Sequence, residues 1–439
     1  MPLLMLGLPA FAQDVQPAPV PAPGETAAPK PPEVFDPALF KLYGDIVKDL
    51  KRISNHRLTL KERVEQARSF TFSAETKAEL KDQFGNDDPF HLTVEDLADG
   101  GATIHGKSDA LDHVNAKTGS TLHIEPMTVE SVINRTYTGA RFDIAIPGIK
   151  LDSTGDLKSV EINDIRLEGD NTVGPYNFMV GKSGGKVGRM HFAAGGAFAL
   201  DVNDMTIGVD VAARKKVFDE HVIYRIASID WGSDKIENIV TDIALLNVDA
   251  KSLEGLTDYM ESFEIGKQAD PAQSDALIKM FKRFGFELSK HNGFIDIRDL
   301  SAQYHGERAG LSGRVSLSNL KEGDLDSTQK TFEKLSLRLR LRLHVPMAMV
   351  DDITHKVSRS MMEAQAKQSG VPVTDVAVDL VARGIESKMT DTLVKQQKWV
   401  HMEKNELVTV FEMKKGKMVL DGHVVNAKSN PFMAMAQGK

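Results

Sequence analysis

The residues of this chain best placed to do chemistry form one alternating run, in which Arg338, Arg340, Arg342 and His344 interleave with Leu335, Leu337, Leu339, Leu341, Leu343 and Val345. Side chains two apart on an extended strand stand roughly 6.6–6.8 Å apart on one face, so the run makes a cationic ladder on one side and an apolar band on the other. Guanidinium groups spaced in this way suit phosphate head groups or an acidic partner. They equally suit a solvated outer face paired with Asp or Glu on a neighbouring strand. Arg338, Arg340, Arg342 and His344 are therefore the candidate contacts to an anionic head group or partner. The leucines must face the core or a bound apolar chain, which makes Leu337, Leu339, Leu341, Leu343 and Met347 the candidate lining of an apolar groove. Met349, Met361 and Met362 follow closely, and methionine adapts to varied apolar shapes.

Other chemical motifs are weaker. Gly181-Lys182-Ser183-Gly184-Gly185 fits the G-x-S-x-G string of a hydrolase nucleophile elbow, but an elbow needs a strand before it and a helix after it. The segment that follows is rich in glycine and has no helical period, so a hairpin loop is expected, and a serine hydrolase using Ser183 is the enzymatic alternative. A phosphate loop would need glycine where Tyr176 stands. The 13 histidines include His91, His105, His113 and His123, yet none falls in an H-x-x-x-H or H-E-x-x-H pattern. Asp324-Leu325-Asp326 lacks the glycine and closing glutamate of a calcium loop. No pair of carboxylates stands at a spacing that argues acid–base catalysis. Zero cysteine excludes disulfides, thiolate metal sites and a cysteine nucleophile. The expectation is a non-enzymatic protein with no catalytic residue, metal or cofactor. With 54 Lys+Arg against 62 Asp+Glu the net charge is −8, which argues against a nucleic-acid partner.

The elements that must position these residues can be read along the chain. Residues 1–12 carry no charge, contain the apolar run Leu3 to Leu6 and end in Ala10-Phe11-Ala12, the pattern of a secretory signal peptide. Of the 18 prolines, seven lie between Pro17 and Pro32, so residues 13–35 are expected to form an extended, disordered linker. Residues 36–250 follow as a helix and an antiparallel meander. Asp36-Pro37 caps an amphipathic helix carrying Leu39, Phe40, Tyr43, Ile46, Val47 and Leu50. A period of two then starts at Phe70, Phe72 and Ala74 and returns at Leu92 and Val94, at Leu122 and Ile124, and at Phe142, Ile144 and Ile146. Turns are expected at Gly85-Asn86-Asp87, Asp99-Gly100-Gly101, Pro147-Gly148 and Gly184-Gly185. Asn163-Asp164 and Asn203-Asp204, with a third copy around Asp296, interrupt long apolar-polar alternations, and Asn or Asp there tolerates left-handed or bulged backbone that bends a strand.

Residues 251–290 read as a helical hairpin, with Leu253, Leu256, Tyr259, Met260 and Phe263 on one arm and Leu277, Ile278, Phe281 and Phe284 on the other. Residues 291–427 hold the remaining strands, a helix opened by Pro346 and stopping at Gly370, a second helix from Thr374 to Gln397, and a closing hairpin across Lys414-Lys415-Gly416-Lys417. Residues 428–439 are a polar tail. The fold class expected is mainly β with packing helices: a long curled antiparallel sheet of bent strands, an N-terminal helix, a mid-chain helical hairpin and a C-terminal helix pair. No stretch of the mature chain reaches the 18 or more apolar residues of a membrane span.

This order of elements, with the terminal segment Lys414-Lys415-Gly416-Lys417-Met418-Val419-Leu420-Asp421-Gly422, resembles the YdgA-type family of bacterial envelope proteins of unknown function, best over Val160 to Val425. The family's early Gly-Trp-Phe segment has no counterpart around Thr71-Phe72-Ser73. That family resembles in turn the AsmA-like proteins, whose long curled sheets carry an apolar groove implicated in moving lipids. The resemblance implies a periplasmic protein that handles a lipid or other amphiphile on a concave sheet face; an envelope structural or interaction module without a groove is the alternative, with another envelope protein as its partner. N-terminal sequencing of the exported protein should find Gln13 first, and an intact Met1 on cytosolic protein would refute the export reading.

Overall fold

A computed structural model describes residues 37–155, 157–195, 198–232, 234–254, 283–316, 321, 338–369, 372–414 and 417–425. The fold is mainly β: among the described residues eighteen strands, antiparallel wherever they pair, form a long sheet that does not close, with helices before it and a helix pair late in the chain. The chain divides into two compact units, one of Met1–Val180 with Met190–Ala199 and Glu254–Pro271, the other of Gly181–Arg189, Leu200–Leu253 and Ala272–Lys439.

In the first unit three helices, α1 (Pro37–Ser54), α2 (Leu60–Arg68) and α3 (Ala74–Phe84), precede the strands. Phe70, Phe72 and Ala74 therefore do not begin a strand. Capping decides this: Thr59 and Glu62 form a reciprocal capping box at the start of α2, Ser73 caps α3, and Gly85 closes α3 in the left-handed conformation at φ 74°. Alternation over three residues is too short to outweigh such signals, and Phe72 packs with Leu42 and Leu80 in a helical core instead. Asp49 of α1 is buried and ties that core to α3, accepting from the Ser73 N–H at 2.8 Å and the Thr76 hydroxyl at 2.7 Å. Burial would raise its pKa, but the hydrogen bonds from Ser73 and Thr76 together hold it below the usual carboxylate value.

The strands of this unit run β1 (Phe90–Asp96), β2 (Ala102–Ser108), β3 (Leu111–Val114), β4 (Thr121–Ile124), β5 (Thr128–Ile133), β6 (Gly139–Asp152) and β7 (Leu157–Val173). They pair as β1–β2–β5–β6–β7, with the β3–β4 hairpin also joined to β6. Pro147-Gly148 lies inside β6 rather than at a turn. Register is kept on both sides of it, Ile146 with Ile165 and Gly148 with Asn163, so Pro147 stands opposite Asp164, which is left-handed at φ 56°. The proline has no N–H to donate, and the strand opposite bends at that point. Gly184-Gly185 likewise lies inside a strand, β8 (Met179–Ala194).

In the second unit β9 (Phe198–Arg214), β10 (Val217–Trp231), β11 (Asp234–Asp249), β12 (Phe294–Tyr304), β13 (Glu307–Ser316) and β14 (Arg338–Pro346) pair in chain order. β14 then pairs with β16 (Glu406–Lys414), whose other edge takes β15 (His401–Glu403) and, further along, β17 (Lys417–Leu420). A last short strand, β18 (His423–Val424), pairs with β17. Asp204 in β9 and Asn238 in β11 are both left-handed, at φ 49°, and both stand opposite Ala227 of β10 with register intact on either side. The expected Asn/Asp step of β9 is thus a left-handed kink, matched at the same level by Asn238 in β11. The third copy differs: β12 carries a bulge between Ile297 and Leu300.

Pro346 ends β14, and α4 (Met347–Ser369) and α5 (Asp375–Thr390) follow, with Thr374 capping α5. Lys356 of α4 bonds both Asp234 and Tyr304, and Asp352 stands 3.4 Å from His305, so α4 is held against the turns that begin β11 and join β12 to β13. Val378 and Ala382 are buried on α5, which pairs with α4 through Asp375 with Arg359 and Asp379 with His355. No described helix is long and apolar enough to cross a membrane. Helical residues 250–254 and 283–290 fall at the two ends of the expected mid-chain hairpin; Leu256, Tyr259, Met260, Phe263, Leu277, Ile278 and Phe281 lie outside the described residues.

A left-handed backbone costs an L side chain about 1–2 kcal/mol unless it is Gly, Asn or Asp, and a β-branched residue is the worst case. Asp204→Val should therefore lower the unfolding free energy by at least about 1–2 kcal/mol in urea titration, whereas Asp204→Asn, which removes the same charge, should change it little.

Candidate functional site

The alternation of β14 is realised in the second unit. Its arginines share one face with charged residues of the neighbouring strands, in a cross-strand row of Asp296, Arg314, Arg340 and Glu412. Two like charges side by side, Arg314 and Arg340, would repel. Each turns outward instead. Arg314 lies over the Phe294 ring at 4.3 Å and reaches Asp296 at 3.3 Å, and Arg340 stands 3.6 Å from Glu412. Arg342 bonds Glu403 at 2.8 Å, and His344 stands 3.5 Å from Glu406. Gly310 makes room for the imidazole, since a Cβ there would lie 2.6 Å from His344 Nε2. Farther across the same face His221 bonds Asp242 at 2.7 Å. Arg340, Arg342 and His344 are thus brought together and each has a carboxylate beside it. The side chains of Arg338 and Leu339, and all of Leu335 and Leu337, lie outside the described residues.

The leucines occupy the opposite face. Leu341 belongs to a row that crosses eight strands: Val209, Val222, Ile243, Ile297, Gly313, Leu341, Phe411 and Leu420. At 4.7–4.9 Å between strands this apolar row spans roughly 34 Å. All eight residues are half-buried and none is sealed, and Leu343, one step along β14, is 40% exposed. Met347 and Met349 at the foot of α4 are half-buried, and Met361 is exposed. Gly313, at φ 152°, lets β14 approach closely: a Cβ there would meet the Arg340 carbonyl oxygen at 1.9 Å.

One residue of the apolar face escaped the sequence reading. Glu220 of β10 takes the place of an apolar residue in the alternation Phe218, Glu220, Val222, Tyr224, and that break in the pattern was the available signal. Its side chain is 6% exposed, its Oε1 has no hydrogen-bond partner among the described residues, and burial pushes its pKa up to about 7.

The remaining candidates disperse. Ser183 lies within β8, with strand on both sides and no strand-to-helix turn. His91, His105 and His123 each face a different carboxylate, Asp109, Glu95 and Asp112, and His113 Nδ1 bonds the Gln83 carbonyl oxygen. Asp324-Leu325-Asp326 lies outside the described residues. Among the described residues one acidic group, Asp45, Glu75 and Glu79, converges closely enough for a metal. Lys41 already supplies the cation there, at 3.0 Å from Asp45 and 3.5 Å from Glu75 and bonded to Glu79, whose hydrogen bond raises the lysine pKa.

A family model described as a bacterial protein of unknown function, DUF945, matches residues 67–428, and that range holds both faces of the sheet. The chain belongs to this family. No curated protein and no solved structure matches it.

Exposed ion pairs contribute about 0–1 kcal/mol, so Arg342→Ala should leave the melting temperature within about 2 °C of the parent. Leu341→Arg places a charge in the middle of the apolar row and should lower it by more than about 5 °C in the same calorimetric scan.

Proposed function

We propose that this protein is a periplasmic, non-enzymatic carrier or receptor for a lipid or other amphiphile, which lies against the apolar face of the sheet in the second unit. The half-open apolar row from Val209 to Leu420 carries this reading. Apolar surface that is contiguous across eight strands and not sealed by side chains marks a place where apolar matter binds. An acyl chain laid along the row would remove both its own surface and the protein's from water, at about 25 cal/mol per Å². The resemblance to the YdgA type, and through it to AsmA-like proteins, supports the same chemistry, and the signal-like Met1 to Ala12 supports the envelope address.

The arginine ladder has a different part in this reading. Because Arg340 and Leu341 point to opposite faces, a chain lying on the leucines cannot place its head on the arginines without rounding an edge of the sheet. Their carboxylate partners make the ladder a self-neutralised outer face.

Mass spectrometry of organic-solvent extracts of the purified protein should recover lipid in near-stoichiometric amount. Ile297→Arg, in the centre of the row, should lose it, while Arg342→Glu should keep it. Protein that is folded and carries no lipid, and that binds none from mixed micelles, would favour the alternative of an envelope interaction module without a groove.

A further inference from the structure

Glu220 is a buried acid on an apolar face with no neutralising partner among the described residues. β10 places it between Val211 of β9 and Leu245 of β11, on the side that also carries Val222 and Tyr224, and no described cation pairs with it. At that end of the β10–β11 pair Asp249, Glu287, Lys290 and His291 pair among themselves, and Arg214 pairs with Asp219. Tyr224, four residues along the same face, is the titratable group that feels the carboxyl: burial first, and then the Glu220 charge, raise its pKa. Leaving a carboxylate unpaired in such surroundings is costly, and the ordinary relief is a hydrogen-bonded counter-charge.

Resting on the amphiphile reading above, we infer that Glu220 is the head-group contact of the apolar face and receives the primary ammonium of an amine-bearing amphiphile whose chain lies along the adjacent row through Val222, Ile243 and Ile297. That row is one side-chain step away, roughly 6.6–6.8 Å along the strands, so head and first methylenes fit without turning the chain. An ammonium brings three donors and the opposite charge. A hydroxyl head brings a single donor and no charge, and a carboxylate or sulfate head would meet a like charge.

The pH dependence follows from the raised carboxyl. Glu220 is neutral well below pH 7 and charged above it, so the ammonium should be held more tightly as pH rises through about 7. In the empty protein the sign is opposite: the stability contributed by the neutral acid is full below its unfolded value of 4.5 and lost as pH rises through about 7. Glu220→Gln keeps the shape and removes the charge, and should fold at least as well as the parent at pH 8.

The test is calorimetric binding of dodecylamine and dodecanol, below their aggregation limits, to the full chain and to Glu220→Gln. At pH 8 the parent should bind dodecylamine at least tenfold more tightly than dodecanol, and the preference should vanish both in Glu220→Gln and in the parent at pH 5.5. A tenfold amine preference that survives in Glu220→Gln, or equal binding of the two ligands by the parent, would overturn the role of Glu220 while leaving the groove standing. Failure of both proteins to bind either ligand would overturn the groove reading and this inference with it.

Discussion

Antiparallel register from β9 to β14 and on through β16 to β17, shifted by one residue only at Phe218/Glu220 in β10, at Glu237/Val240 in β11 and at the Ile297/Leu300 bulge of β12, is the constraint on which the rest of the second unit depends. The side-chain period of a strand is two, so a slip of one residue at any pairing would carry arginines onto the leucine face and leucines into water. Register alone brings Val209 of β9 and Leu420 of β17 into one apolar row, although 211 positions separate them along the chain (420 − 209 = 211). The energy that enforces it is distributed over many half-buried apolar contacts rather than lodged in one sealed core.

Long strands must also bend without losing that register. The left-handed positions Asp164 and Asp204 do this with the register preserved against β6 and β10, Asn238 keeps register with β10 but sits at a one-residue shift against β12, and the bulge in β12 between Ile297 and Leu300 changes it by one residue. Side-chain type determines which device is used. Asp and Asn stabilise the left-handed conformation through local hydrogen bonding, and the kinks at Asp204 and Asn238 align across Ala227 because neighbouring strands can bend together only at the same level. α4 is then fixed at the strand ends by the Lys356 contacts to Asp234 and Tyr304, and it buries Val350, Thr354 and Ser358.

The two faces solve electrostatics differently. On the outer face Arg308, Arg314, Arg340 and Arg342 of β13 and β14 are matched by Asp299, Asp296, Glu412 and Glu403, so charge is exposed and compensated at once. On the apolar face Glu220 is buried and has no compensating partner among the described residues.

Much of this was legible in the residues themselves. The β14 alternation, the steps at Asp164 and Asp204, the start of α4 after Pro346 and the cap at Thr374 are local features, fixed by side-chain period, backbone preference and hydrogen bonding within a few residues. Pro147-Gly148 and Gly184-Gly185 read as turns because the sequence cannot reveal which strand stands opposite, and it is the left-handed Asp164 that accommodates Pro147 inside β6. α2 and α3 were missed because their caps, Thr59 with Glu62 and Ser73, carry more weight than a brief alternation of Phe70 and Phe72. Only the tertiary structure decided which carboxylates meet Arg340 and Arg342, that Lys41 fills the Asp45, Glu75 and Glu79 group, and that Glu220 is buried. Each depends on residues 25 to 72 positions apart meeting across strands or helices, and no local rule of period or propensity encodes such a meeting (Glu403 − Arg342 = 61; Glu412 − Arg340 = 72; Glu79 − Lys41 = 38; Leu245 − Glu220 = 25 in register across one hairpin).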